Sequence, residues 1–271
     1  MQMTSTKKCL VVIAAAALTA AYGWAQTPIL SYSFPASWDG TGTVVTDLSA
    51  GDNNGSIKVT PSLSPTVPSW AAMGTQSLNT SGGSILTDNT LQLNNAAVAA
   101  AGGFSYDVSF LWDGTHRSNW GSVQKILDYA GTESLQLVTS DGGQANLIMR
   151  FDDSQDVLST VILPDTWYSV SVQFDTQGNT VDGNGDLAGV VSMAINGGSP
   201  LSAAATKTKK GDDLVRGIGI GQLALANHLV YLDGLIYDPS VSLGVTVIPE
   251  PTTLSLVGLG GLLLFIRRKK A

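Results

Sequence analysis

Cysteine is nearly absent from this 271-residue chain. The single residue, Cys9, stands ahead of an apolar run that ends at Ala21. Lys7 and Lys8 before that run, with Gly23 and Ala25 after it, make residues 1–25 read as a secretory signal peptide cut after Ala25. Because Cys9 precedes the run, it is not the lipidated first residue of a lipoprotein. The mature chain then has no thiol, which excludes disulfides, thiol catalysis and cysteine-ligated zinc. Stability must come from a core, and residues 26–248 are numerous enough to build one.

Catalytic side chains are scarce as well. Between residues 26 and 248 there is one glutamate, Glu133, in the expected turn AGTES, and the only histidines are His116 and His228. Glycoside hydrolysis generally needs two facing carboxyl groups. Asp152 and Asp153 are adjacent and would point to opposite faces of a strand. No Gly-x-Ser-x-Gly elbow occurs. These absences predict a protein that is not an enzyme.

Positive charge is also thin in the middle of the chain. Residues 26–248 hold eight basic against twenty acidic side chains, a net of −12. Such a surface repels phosphate backbones, so nucleic acid is an unfavoured partner and cations are favoured ones. Long apolar runs are missing too. Thr252–Ile266 is fifteen residues, which at about 1.5 Å each spans roughly 22 Å as a helix, short of the ~30 Å hydrocarbon core. Gly258, Gly260 and Gly261 weaken that helix, while Arg267, Arg268, Lys269 and Lys270 favour the cytoplasmic side. The tail suits transient inner-membrane anchoring better than a permanent transmembrane helix.

What the middle does have is alternation. FSYDVSFLW sets Phe104, Tyr106, Val108, Phe110 and Trp112 on one face and Ser105, Asp107 and Ser109 on the other, and WYSVSVQF repeats the pattern with Tyr168, Val170, Val172 and Phe174. These predict half-buried antiparallel strands. Further strands are expected at KILDY, SLQLVTS, ANLIMRF, VLSTVIL, GVVSMAI, GIGIGQL and VYLDGLI, between Gly, Asn, Asp and Pro clusters. NNAAVAAAGG reads either as one helical turn or as a loop over a sheet edge. The sum predicts an all-β two-sheet sandwich or jelly roll.

Two resemblances sharpen this. SYSF followed by VTDLSAGDNNGSI, then FSYDVSFLW, LPDTWYSVSVQFD, VSMAINGG, IGIGQ and YLDGLI, resembles in order and spacing the bacterial laminin-G-like domains across residues 30–240. That resemblance implies the concanavalin A-like antiparallel jelly-roll fold, which hosts lectins, carbohydrate-binding modules, adhesion domains and glucanases. The glucanases carry Glu-x-Asp-x-Glu on one strand, which is lacking here. Pro249-Glu250-Pro251, the apolar run and then Arg267 and Arg268 resemble the PEP-CTERM sorting signal. It implies a Gram-negative bacterium that makes exopolysaccharide, an exosortase-type membrane protease as partner and cleavage near Pro249–Pro251. The expected organisation is signal peptide 1–25, sandwich 26–248 and sorting tail 249–271. The expected destination is the cell surface or extracellular matrix.

Two loops offer candidate ligand contacts. In DGTHRSNWGS, Trp120 and Arg117 suit stacking on a sugar of an extracellular polysaccharide, though Trp120 equally suits a plug beneath its own loop. In DTQGNTVDGNGDLAG, Asp182, Asn184 and Asp186 alternate with glycine like the first half of a calcium loop. Leu187 and Met193 depart from the EF-hand pattern, and the same residues are ordinary turn formers. A metal-free hairpin and a weak calcium site, with Asp175 as a further ligand, both fit.

Overall fold

Serine alternating with large apolar side chains builds the centre of the molecule. The computed structural model describes residues 26–245 apart from 72–73, 82, 88–92, 117–121, 130–132, 141–142, 152–154, 210–216 and 222–230. The expected signal and tail segments therefore lie outside the described residues, as do Asp152, Asp153 and His228.

In chain order the elements are β1 (Thr27–Ser31), β2 (Val44–Val45), β3 (Gly55–Val59), β4 (Ser62–Ser64), β5 (Ser77–Asn79), β6 (Ser84–Thr87), α1 (Asn95–Ala101), β7 (Gly103–Trp112) and β8 (Val123–Tyr129). There follow β9 (Glu133–Thr139), β10 (Ala145–Phe151), β11 (Gln155–Ile162), β12 (Trp167–Asp175), β13 (Leu187–Ile195), β14 (Leu201–Lys207), β15 (Ile218–Ile220) and β16 (Gly234–Leu243). They form two antiparallel sheets packed as a sandwich. The first runs β14-β13-β12-β7-β16-β5-β4, with β1 also paired to β16, and the second runs β11-β10-β9-β8-β15-β6-β3-β2.

The alternation predicted for β7 and β12 holds residue by residue. Phe104 pairs with Phe174, Tyr106 with Val172 and Val108 with Val170, all buried. Phe151 of β10 meets them from the second sheet, its ring centroid 5.3 Å from Phe174 and 6.4 Å from Phe104. Burying each such ring contributes roughly 1.5–3 kcal/mol, which is how a chain without disulfides holds two sheets together. The ambiguous NNAAVAAAGG is a short helix. Asn94 accepts from Ala97 N–H at its start, and Gly102 closes it at φ 77°. Sequence alternation did not reveal β14, whose LSAAATK has little apolar contrast.

The stretch VTDLSAGDNNGSI is a structural clasp. Asp47, 7% exposed, accepts from Ser31 N–H (2.8 Å), Ser49 N–H (2.9 Å), Ser49 Oγ (2.8 Å) and Asn53 N–H (2.9 Å). Asn53 in turn donates its amide to the Ile29 carbonyl, and the Tyr32 hydroxyl donates to the Asn53 carbonyl. Gly51 is needed for this, since a Cβ there would sit 2.4 Å from the Ile29 carbonyl oxygen.

Candidate ligand-binding face

The outer face of the first sheet is assembled by register. Trp167, Leu111 and Leu235 share one row, Ser169, Ser109 and Tyr237 the next, Ser171, Asp107 and Ser240 the third, and Gln173, Ser105 and Ser242 the fourth. Trp112 is fully buried in the core, whereas Trp167 is half-buried on this outer face with its ring edge-on to Tyr237 at 6.5 Å and 80°. Its odd position in the alternation of β12, opposite Leu111, puts it there.

The strand end beside this face is an Asn-Gly turn. Asn196 and Gly197 both take positive φ, 51° and 68°, as tight hairpin turns require. Ser169 N–H donates to Asn196 Oδ1 at 2.8 Å and Asn196 N–H to the Ser169 carbonyl at 2.7 Å, so the amide side chain is held in place. The loop after β4 folds back across the sheet. The Tyr237 hydroxyl accepts from Gly74 N–H (3.0 Å) and donates to the Gly74 carbonyl (3.1 Å), while Thr75 and Gln76 N–H both donate to the Phe34 carbonyl. Trp70 of the same loop, 47% exposed, lines a cleft of about 270 Å³ together with Ser169, Asn196 and Gly197.

Charge on and inside the sandwich is tightly managed. Burial raises the Asp107 carboxyl above the ordinary carboxylate range, opposed by a hydrogen bond from the Ser171 hydroxyl. Glu133, expected in a turn, is instead the first residue of β9 and fully buried. It faces inward with Leu135 and Leu137, and Lys207 Nζ, also fully buried, lies 3.6 Å from its Oε1. The Lys207 ammonium sits 5.1 Å from the Tyr129 ring centroid. Burial and then Glu133 push the Tyr106 hydroxyl well above the usual tyrosine range. On the other side of β8 and β9, Lys125 Nζ lies 3.2 Å from Asp128 Oδ1 and donates to Ser134 Oγ at 2.7 Å. Sequence reading missed both buried pairs, because a charged residue at either end of an alternating strand looks solvent-facing.

The acidic loop is a hydrogen-bonded turn. Asp182 Oδ1 accepts from Asn184 N–H (2.8 Å) and Asp186 N–H (2.9 Å), and Asp186 Oδ1 accepts from Lys209 N–H (2.9 Å). These bonds hold the exposed Asp182 carboxyl below the ordinary range. Asp175 turns instead to Gln177, accepting from its N–H and its side-chain amide. Among the described residues no three His, Cys, Asp or Glu gather as a metal site would need. His116 is half-buried, its Nδ1 3.0 Å from Thr139 Oγ1. Trp120 and Arg117 lie outside the described residues, as do Pro249, Glu250, Pro251, Arg267 and Arg268.

Comparison with known proteins supplies two findings. The PEP-CTERM protein-sorting motif matches residues 247–270. No curated protein sequence matches the chain. Among solved structures, domain 4 of AbnA, a GH43 extracellular arabinanase from Geobacillus stearothermophilus solved with arabinotriose, superposes with TM-score 0.52 at 13% identity, over 81% of this chain and 93% of that one. The binding domain of paraclostridial mosquitocidal protein 1 gives 0.47 at 12%, over 80% and 49%, and that of botulinum neurotoxin DC with rat synaptotagmin II gives 0.46 at 14%, over 86% and 52%. At such identities the first likeness shows the fold alone. The chain thus joins a two-sheet jelly-roll sandwich to a PEP-CTERM motif, the mark of exosortase-sorted export in Gram-negative bacteria.

Proposed function

We propose that this is a non-catalytic module of the cell surface or extracellular polysaccharide matrix, released from a transient membrane anchor by cleavage near Pro249–Pro251. One observation carries the non-catalytic part. The sole glutamate of residues 26–248 is enclosed in the sandwich 3.6 Å from a buried lysine, out of reach of any polysaccharide. A general acid and its partner carboxylate must flank an accessible bond, so a pair here would have to be drawn from aspartates alone. Glu133 supports the fold instead. Weak calcium binding by the remaining lone pairs of Asp182 and Asp186, with the Asn184 amide, would add stiffness to one hairpin without changing this reading.

The test is turnover. Incubation of the exported chain with polysaccharide from its own cells, and with a panel of neutral and acidic glycans, should release no reducing ends above the blank. Release that disappears in a single acidic variant, such as Asp107→Asn, would overturn the reading.

A further inference from the structure

We infer that the cleft beneath Trp70 binds one neutral pyranose unit of a polysaccharide. This rests on the reading above, that the body belongs to the surface or polysaccharide matrix and cuts no polysaccharide. Trp70 is the one aromatic among the large apolar side chains left exposed on the described surface. Further along the same loop, the Tyr237 hydroxyl is bonded to both backbone groups of Gly74, and the Phe34 carbonyl takes Thr75 and Gln76.

The chemistry of the lining selects the ligand. The Trp70 ring offers a negative π face, which attracts the positively polarised C–H face of a sugar ring. Around it stand a hydroxyl, Ser169, and an amide, Asn196. Asn196 Oδ1 is committed to Ser169 N–H, which leaves the amide nitrogen as the donor directed outward. The Asn196 amide nitrogen, the Ser169 hydroxyl and the Trp70 indole N–H hydrogen-bond to no described residue. A purely apolar ligand would cover those groups and leave them unpaired. An apolar face edged with hydroxyl groups satisfies them.

Size and charge narrow it further. About 270 Å³ is the room for one hexose ring, not for a peptide or a helix. Among the described residues no charged side chain lines the cleft, and the surrounding body carries a net −12, so a uronate or sulfated unit is disfavoured against a neutral one. A single small ring bound by one stack and a few hydrogen bonds gives a Kd on the order of 10⁻³ M. Useful retention in a matrix would then come from many copies on one polymer.

Saturation-transfer NMR tests this on the exported chain, kept in a detergent without a sugar head group. The probes are the methyl glycosides of glucose, galactose, mannose, N-acetylglucosamine and glucuronic acid. The expected result is transfer to at least one neutral glycoside, weakened about tenfold in Trp70→Ala and kept within about threefold in Trp70→Phe. The proposal is overturned if no neutral glycoside binds below about 50 mM, if Trp70→Ala binds as well as the wild type, or if the glucuronide binds best. Free methanol appearing in the same tubes would overturn the non-catalytic reading instead. Absence of binding without methanol would overturn the cleft alone.

Discussion

Removing one member of the buried Glu133–Lys207 pair should cost far more than removing both. At 3.6 Å, with an effective dielectric of about 20, the mutual attraction is roughly 4.6 kcal/mol. Both side chains are fully buried, so each has also given up several kcal/mol of hydration, and the pair as a whole is close to break-even. Lys207→Met takes the ammonium at 3.6 Å away from the buried carboxylate and Glu133→Gln takes the carboxylate away from the buried ammonium, and each single change should destabilise by about 3–5 kcal/mol. The double variant leaves no charge behind and should lie within about 1–2 kcal/mol of the wild type. Against a total stability of about 5–15 kcal/mol, the single variants are near collapse and the double is not. Urea unfolding followed by tryptophan fluorescence measures this, with the three variants and wild type compared at constant m. Two mild single variants, each under about 1 kcal/mol, would refute the reasoning. They would mean that Glu133 is solvated, and the argument that it cannot act on a substrate would fall with it.

The Asp47 clasp should be costly to break, since Asp47→Ala strands three backbone N–H groups at about 1–3 kcal/mol each before relaxation, read as a lowered urea midpoint. Asp107 behaves in the opposite sense. Its folded carboxyl is raised by burial, so its ionisation begins to cost stability as pH climbs past the ordinary value of about 3.9, and Asp107→Asn should raise Tm at pH 7 but not at pH 3. Asp182 has a lowered carboxyl, so its contribution is present above about pH 3.9 and is lost as pH falls through the folded value. Asp182→Ala should lower Tm in chelator, and a calcium-dependent Tm rise present in wild type and absent in Asp182→Ala and Asp186→Ala would assign calcium to this loop, whereas no rise would leave it a turn.

The strands that announced themselves are those with strong contrast between faces. β7 and β12 place aromatic and branched side chains inward against serine outward, so period two is unmistakable. The Asn196-Gly197 turn was equally legible, because few other pairs accept positive φ at both positions. β14 was not, since Ala, Ser and Thr differ too little in hydropathy to mark a face. Glu133 was misplaced because AGTES reads as turn-forming throughout, whereas β9 begins at Glu133 itself. Its partner, Lys207, lies on a strand that alternation did not reveal. The Trp70 cleft is a purely tertiary product. Two prolines, Pro65 and Pro68, mark its loop as irregular, but the hydroxyl bonded to that loop at Gly74 comes from Tyr237, 163 residues away. No local pattern reports a contact of that separation.

Intact-mass measurement of the chain recovered from outside its own cells tests most directly the claim that this sandwich is exported and then cut free. The expected chain begins at Gln26, ends near Pro249–Pro251 and lacks Arg267–Ala271. Recovery of the protein only from the inner-membrane fraction, with Arg267–Ala271 still attached, would contradict it.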